Sequence, residues 1–139
     1  MAALRLVETH KRLGDKYIVA ALASAEIAPY DDLVQLLEGE FAGYVDESAK
    51  CSLLVDQLLR ELPSYPEAED PRVLPLAERI GQLDGEFWVR RHRDNQLWRL
   101  WPLLADQASL TRIRALVRTP NIRRELAHLP REVTGPGES

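Results

Sequence analysis

The 139-residue sequence predicts an all-α fold, which we expect to be a single compact bundle of five to seven helices. Apolar side chains recur every three or four residues along most of the chain, which is the spacing of an amphipathic helix face. Prolines and acidic residues precede several of these segments, as they do at helix starts. An α+β alternative with a hairpin within residues 80–101 stays open, because Asp84-Gly85 is a two-residue hairpin signal.

The N-terminal part of the chain predicts three helices. They cover about residues 2–25, 29–44 and 46–62. Asp46 or Ser48 is the expected N-cap of the third helix, because a short polar side chain there accepts a hydrogen bond from a free backbone amide. Pro63 ends this helix, since proline has no amide hydrogen to donate. The apolar face of the third helix consists of Cys51, Leu54, Val55, Leu58 and Leu62.

Charge is unevenly distributed along the chain. The net charge is −4, but residues 1–70 have a net charge of −8 and residues 71–139 have one of +4. Such asymmetry can indicate an acidic partner for the basic part, or complementary packing of the two parts. We expect one helical domain, residues 1–130, comprising an acidic half, 1–62, a proline-rich loop, 63–71, and an arginine-rich half, 72–130, followed by a mobile tail, 131–139.

The arginine-rich half opens with a regular apolar stripe. The stripe consists of Val73, Leu76, Ile80, Leu83 and Phe87. It predicts one long helix over about residues 74–101, with Phe87 and Leu97 in the core and an exposed strip around Arg90–Arg93. Because alternating steps of three and four are typical of coiled coils, self-association through residues 73–87 into a homo-oligomer is a second expectation.

Two further helices are predicted near the C-terminus, from Ser109 to Arg118 and from Thr119 to about His128. Two packed helices with solvated arginines are one interpretation. A helix–turn–helix over residues 109–126 is the other, and its arginines would contact phosphate groups of a nucleic acid. The candidate nucleic-acid contacts are Arg112, Arg114, Arg118, Arg123 and Arg124.

Residues 86–101 contain all three tryptophans and four arginines. Tryptophan and arginine dominate the binding energy of many protein–protein interfaces, and interleaved aromatics and arginines also suit single-stranded nucleic acid. The alternative is that the tryptophans close the core and the arginines cover their edges. The candidate partner-binding residues are Trp88, Arg90, Arg91, Arg93, Trp98 and Trp101, with Arg90 and Arg93 oriented toward an acidic partner surface.

The sequence contains none of the common catalytic or metal-binding motifs. A glycine-rich phosphate loop, a Cys-x-x-Cys pair, a His-Glu-x-x-His motif and a nucleophile elbow are all missing. Cys51, the single cysteine, lies in an apolar helical stripe, where cysteine usually acts as a small hydrophobic residue. We therefore expect no catalytic residue, no cofactor and no metal site.

Arginine followed by histidine five positions later occurs twice, at Arg5–His10 and Arg123–His128. This spacing is similar to that of small helical ribonucleases of the HEPN type, in which the pair polarises a phosphodiester and shuttles a proton. The resemblance implies a ribonuclease. In these ribonucleases the residue after the arginine is usually polar. Here that residue is Leu6 in the first pair and Arg124 in the second, so this sequence departs from the pattern.

The function predicted from these observations is that of a non-enzymatic adaptor, regulatory or assembly protein that binds another protein through its Trp/Arg-rich surface. Nucleic-acid binding by the arginine-rich half is the alternative, and an HEPN-like ribonuclease is the second alternative. No signal peptide and no apolar stretch of the roughly 20 residues needed to cross a bilayer is evident. With one cysteine suited to a reducing compartment, we expect a cytoplasmic protein without a membrane partner.

Overall fold

The computed structural model describes residues 29–39, 42–43 and 45–130, and the chain forms two compact units, Met1–Glu61 and Leu62–Ser139. The helices are α1, Tyr30–Glu38; α2, Glu47–Glu61; α3, Val73–Gly81; α4, Phe87–Arg99; α5, Gln107–Leu116; and α6, Pro120–Glu125. A 3-10 turn, Trp101–Leu103, follows α4. The all-α prediction is confirmed. No strand occurs in the described residues, so the hairpin alternative is wrong.

In the first unit, α1 packs against α2. Cys51, Leu54, Val55 and Leu58 of the predicted stripe are buried, whereas Leu62 follows the end of α2 and is half-buried. Leu33 and Leu37 of α1 are fully buried as well. Of the two predicted N-caps of α2, Asp46 is the one observed, because its Oδ1 accepts a hydrogen bond from the Ala49 amide at 2.8 Å. The Glu61 carboxylate at the end of α2 accepts one from the Tyr30 amide at 2.6 Å, which satisfies a free donor at the start of α1.

Helix α1 is shorter than predicted, since it ends at Glu38 rather than near Tyr44. Its last turn closes on Gly39, whose amide donates to the Gln35 carbonyl at 2.9 Å. Glycine is common at helix ends because it exposes the backbone and favours non-helical conformations. The helix predicted over residues 2–25 and the tail predicted over residues 131–139 lie outside the described residues.

In the second unit, the predicted long helix over residues 74–101 is wrong. The chain breaks after Gly81 and resumes helical structure at Phe87. Gly85 has a φ of +149°, a backbone conformation that residues other than glycine rarely adopt. Asp84 Oδ1 accepts a hydrogen bond from the Gly85 amide at 2.8 Å. Asp84-Gly85 therefore forms a turn, as its composition indicates, but the turn joins two helices rather than two strands.

The core of the second unit is built by α3 and the helices packed on it. Val73, Leu76, Ile80 and Leu83 of the predicted stripe are buried, and α3 packs against both α4 and α5. These four residues are therefore packed within their own unit, while Phe87, the last residue of the stripe, is 68% exposed, and self-association through residues 73–87 stays a prediction. Gly81 allows α3 and α5 to approach each other closely, because a Cβ at this position would lie 2.7 Å from Leu116 Cδ2.

The proline-rich loop is attached to the second unit. The Tyr65 amide donates to the Pro102 carbonyl at 2.8 Å. Glu69 Oε1 accepts from the amide of Ala105 at 3.1 Å, and Glu69 Oε2 accepts from Ser109 Oγ at 2.5 Å. Asp106 caps α5 by accepting from the Ala108 amide at 2.9 Å, so this helix begins two residues earlier than predicted.

Within the described part of the chain, no helix combines the length and the apolar character required to cross a membrane.

Candidate functional site

A buried ion pair lies at the centre of the Trp/Arg-rich segment. Arg93 and Asp94 are each 2% exposed, and Arg93 Nε donates to Asp94 Oδ1 at 3.1 Å. The guanidinium also donates through Nη1 to the Leu83 carbonyl at 3.1 Å. The prediction that Arg93 is exposed to a partner is wrong. Its charge can be buried because the next residue supplies a carboxylate and the turn before α4 supplies a carbonyl.

Asp94 extends this network to the junction between α5 and α6. Its Oδ2 accepts hydrogen bonds from the Thr119 hydroxyl at 2.6 Å, the Thr119 amide at 2.8 Å and the Arg118 amide at 3.2 Å. Both carboxylate oxygens are thus occupied. The network joins α4, the turn before it and the start of α6 at fixed positions, and α6 packs against α4.

A groove of about 650 Å³ opens above this network, between α4 and the α5–α6 junction. We call it the arginine groove. Arg90, Arg91 and Arg118 line it and are exposed. The remaining lining residues are Phe87, Arg93, Asp94, Asn95, Thr119, Pro120, Asn121 and Ile122. Two of the predicted partner-binding arginines, Arg90 and Arg91, and one predicted nucleic-acid contact, Arg118, therefore line the same groove.

Large aromatic side chains are exposed on α4. Phe87 is 68% exposed, Trp88 62% and Trp98 45%, and these are three of the four exposed large apolar side chains in the described residues. At 3.6 residues per turn, Phe87 and Trp98 point in directions only about 20° apart around the helix. We call Phe87, Trp88 and Trp98 the aromatic face of α4. Trp88 Nε1 donates to Glu86 Oε2 at 2.8 Å, which fixes the indole at the surface.

The exposure of Phe87 corrects the prediction that this residue extends the apolar stripe into the core. The stripe ends because the turn at residues 82–86 resets the direction of the chain before α4 begins. Leu97 is fully buried, as predicted. Trp88 and Trp98 are exposed, so these two tryptophans do not close the core.

Trp101 has a different position from the other two tryptophans. Helix α4 ends at Arg99, so Trp101 lies in the 3-10 turn and not in the long helix predicted over residues 74–101. Its ring is half-buried, and its Nε1 donates to the His128 carbonyl at 2.8 Å. This bond attaches the chain after α6 to the end of α4, so Trp101 has a structural role.

The remaining candidate nucleic-acid contacts have intramolecular partners, except for Arg114. Arg112 donates to both carboxylate oxygens of Glu78, at 2.7 and 2.9 Å. This hydrogen-bonded guanidinium lowers the pKa of Glu78 from 4.5, and the carboxylate raises the pKa of Arg112. Arg123 donates to the Val117 carbonyl at the end of α5 through Nε at 3.1 Å. Arg124 donates to the side chain of Asn121.

The length of α6 bears on the helix–turn–helix interpretation, and the hydrogen bonds of Arg123 bear on the HEPN-like one. Helix α6 has six residues, one and a half turns, which is short for a recognition helix that enters a major groove. Arg123, the arginine of the second HEPN-like pair, is held at the end of α5, while His128 is exposed. The first pair, Arg5–His10, lies outside the described residues.

Asp94, Asn95, Thr119 and Asn121 are site residues that the sequence interpretation missed. A signal for Asp94 existed, because a carboxylate directly after an arginine inside a helix can neutralise it. The partners of that carboxylate, about 25 residues away, had no such signal. Within residues 29–39, 42–43 and 45–130, no group of three or more His, Cys, Asp or Glu side chains could hold a metal ion.

Comparisons with known protein families, with curated proteins and with solved structures give no match to this chain.

Proposed function

We propose that this protein is a non-enzymatic binding module, an adaptor, regulatory or assembly protein, which binds another protein through α4. The observation that supports the proposal is the aromatic face, where Phe87, Trp88 and Trp98 are exposed on a single helix. Exposed apolar patches of this kind mark interaction sites in proteins. The single buried cysteine suits a reducing compartment, and we place the interaction in the cytoplasm.

The hydrophobic free energy that the aromatic face could contribute is comparable to the free-energy cost of association. Burial of about 400 Å² from the three rings would contribute on the order of 10 kcal/mol at about 25 cal/mol per Å². Association itself costs about 4–15 kcal/mol in lost motional freedom. The aromatic face alone is therefore a marginal binding surface, and further contacts from neighbouring polar groups are needed.

Arg90 and Arg91 are the neighbouring groups that supply those contacts. Both are exposed on α4, and neither has a salt bridge or hydrogen bond from its guanidinium to another described residue. Unpaired surface arginines attract a partner with an acidic surface and increase its association rate. We therefore propose that the partner presents carboxylates beside an apolar patch.

Site-specific photo-crosslinking tests the proposal. The photoreactive residue p-benzoylphenylalanine replaces Trp88, Trp98 or, as a control, the exposed Thr111 of α5, and each variant is irradiated in a nuclease-treated extract of the source organism. We expect one protein adduct shared by positions 88 and 98 and missing at position 111. The purified adduct partner should then bind wild-type protein about tenfold more tightly than Trp98→Ala, a difference of about 1.4 kcal/mol.

Equal adducts at all three positions, or equal affinity of the purified partner for wild type and Trp98→Ala, would contradict the proposal. Adducts to nucleic acid at positions 88 and 98 in extract that has not been treated with nuclease would support nucleic-acid binding in place of protein binding.

A further inference from the structure

We propose that the arginine groove binds a short, extended segment of the partner in which carboxylate side chains flank an apolar side chain. This inference rests on the proposed function and specifies the chemistry that the partner presents. It uses Arg118 and the α5–α6 junction, which lie outside the Trp/Arg-rich segment of the sequence.

The charge of the groove supports an anionic occupant. Arg90, Arg91 and Arg118 are exposed there, whereas Asp94 is the one acidic residue among the lining residues. Asp94 is neutralised by Arg93, and its second oxygen accepts three hydrogen bonds from Arg118 and Thr119. Three guanidinium groups are left to act on the occupant. Guanidinium binds carboxylate in a two-pronged geometry that a lysine could not reproduce.

The other lining residues indicate a peptide segment rather than a single small anion. Phe87 on α4 and Pro120 and Ile122 on α6 give the groove apolar surface for one side chain. Asn95, exposed on α4, offers both a donor and an acceptor for the backbone of an extended chain. A volume of about 650 Å³ lies within the range of roughly 300–1,000 Å³ typical of ligand pockets.

The walls of the groove are already held at a fixed separation. The Arg93–Asp94 pair forms its floor and bonds directly to Thr119, so the two sides are linked by a buried network. Because the floor is ordered by bonds within the protein, binding need not order it, which lowers the entropic cost of association.

The two helices that flank the groove also carry acidic residues, which favours a short peptide over a nucleic acid. Glu86 directly precedes α4 and binds Trp88, and the exposed Glu125 is the last residue of α6. A phosphate backbone carries a negative charge at every nucleotide and gains affinity from a continuous basic surface. The two carboxylates interrupt the basic surface and reduce its attraction for a phosphate chain, whereas a segment with a few acids needs only Arg90, Arg91 and Arg118.

The test is fluorescence polarisation with the purified full chain and two fluorescein-labelled peptides. The acidic probe is Gly-Ser-Glu-Glu-Leu-Glu-Glu-Ser-Gly, and the matched probe carries glutamine in place of each glutamate. We expect the acidic probe to bind about tenfold more tightly, with an affinity that falls as salt is added. Arg90→Glu and Arg118→Glu should each weaken it by about tenfold or more. Arg114→Glu, an exposed arginine outside the groove with the same charge change, should leave affinity almost unchanged.

Four results would overturn the inference. The first is equal affinity for the two peptides, which would show that the carboxylates are not recognised. The second is an equal effect of Arg114→Glu and Arg118→Glu, which would show attraction by overall charge alone. The third is a twelve-nucleotide oligo-dT that binds more tightly than the acidic probe and competes with it. The fourth is a dimer in sedimentation that Arg118→Glu dissociates, which would make a second copy of the chain the occupant. Urea unfolding of each variant verifies that it is folded.

Failure of this inference can be separated from failure of the proposed function. Trp98 does not line the groove, so Trp98→Ala should leave binding of the acidic probe unchanged while it weakens binding of the crosslinked partner. A partner that depends on Trp98 but not on Arg118 would contradict the groove inference and leave the proposed function in place.

Discussion

Arg93 and its neighbours Arg90 and Arg91 belong to the same short helix but have opposite environments. Arg93 is 2% exposed and bonded to Asp94 and the Leu83 carbonyl, whereas Arg90 and Arg91 are exposed at the edge of a groove. Composition does not distinguish them. The difference is set by the direction in which each side chain leaves α4 and by the groups it meets there.

One helix therefore combines an inner arginine that contributes to stability with outer arginines that are available for binding. The large apolar residues divide in the same way, because Leu97 is fully buried and Trp98, the next residue, is 45% exposed. Substitutions on the inner side should change the free energy of unfolding, and substitutions on the outer side should change binding. The largest effects are expected on the inner side of α4, and the smallest at an exposed ion pair between α3 and α5.

Asp94→Asn should have the largest effect on stability. It removes the charge opposite Arg93 and weakens the acceptor for Arg118 and Thr119, and breaking a buried pair from one side typically costs about 3–5 kcal/mol. Urea unfolding measures the change. Glu125→Gln, a change of the same type at an exposed acid of α6, is the control and should alter the free energy of unfolding by less than about 0.5 kcal/mol. Equal losses in both variants would contradict the inner role of Asp94.

Leu97→Ala and Trp98→Ala compare neighbouring positions directly. Truncation of the fully buried leucine should cost about 2–5 kcal/mol, because it removes apolar contacts and leaves a cavity. Truncation of Trp98 should cost less than truncation of Leu97 despite the larger side chain, since Trp98 is 45% exposed and part of its ring already contacts water. The measurement is again the free energy of unfolding in urea. A larger loss for Trp98→Ala would place its ring in the core.

Fluorescence quenching distinguishes the tryptophans by their exposure to solvent. A variant that keeps Trp98 alone, with Trp88→Phe and Trp101→Phe, is compared with one that keeps Trp101 alone. We expect a larger acrylamide quenching constant and a more red-shifted emission for Trp98, because Trp101 is half-buried and bonded to the His128 carbonyl. The opposite order would contradict the assignment of Trp98 to the aromatic face.

The exposed pair of Glu78 and Arg112 should give the smallest effect. The hydrogen-bonded Arg112 lowers the pKa of Glu78 from 4.5, so this carboxylate stabilises the folded protein at pH values above 4.5. That stabilisation is lost as the pH falls through the lowered pKa and the carboxylate is protonated. Glu78→Gln should therefore reduce stability slightly at neutral pH and make no difference at a pH well below the lowered pKa of Glu78. A difference that grows on acidification would contradict this sign.

Local signals in the sequence account for the features that it predicts correctly. The period of apolar residues, Asp46 before the helix and Pro63 after it define α2, because each acts within a few residues of its position. The break between α3 and α4 had a local signal too, in Asp84-Gly85. That dipeptide favours a turn without specifying whether strands or helices flank it.

The site depended on contacts that no local pattern carries. Burial of Arg93 requires the Leu83 carbonyl ten residues before it, and full use of Asp94 requires Thr119 twenty-five residues after it. The arginine groove likewise combines α4 with a junction that the sequence interpretation assigned to a different function. The composition of residues 86–101 marked the correct segment, but only the packing of the second unit separates its inner side from its outer side.

The bonds of Glu69 and Tyr65 to residues 102–109 determine where the chain can be divided. By composition, residues 63–71 resemble a spacer that could be discarded with either half. A recombinant fragment starting at Arg72 would lack the carboxylate that satisfies the free amides ahead of α5, whereas one starting at Leu62 would retain it. For expression of the arginine-rich half alone, the proline-rich segment is therefore the N-terminal part of the folded unit.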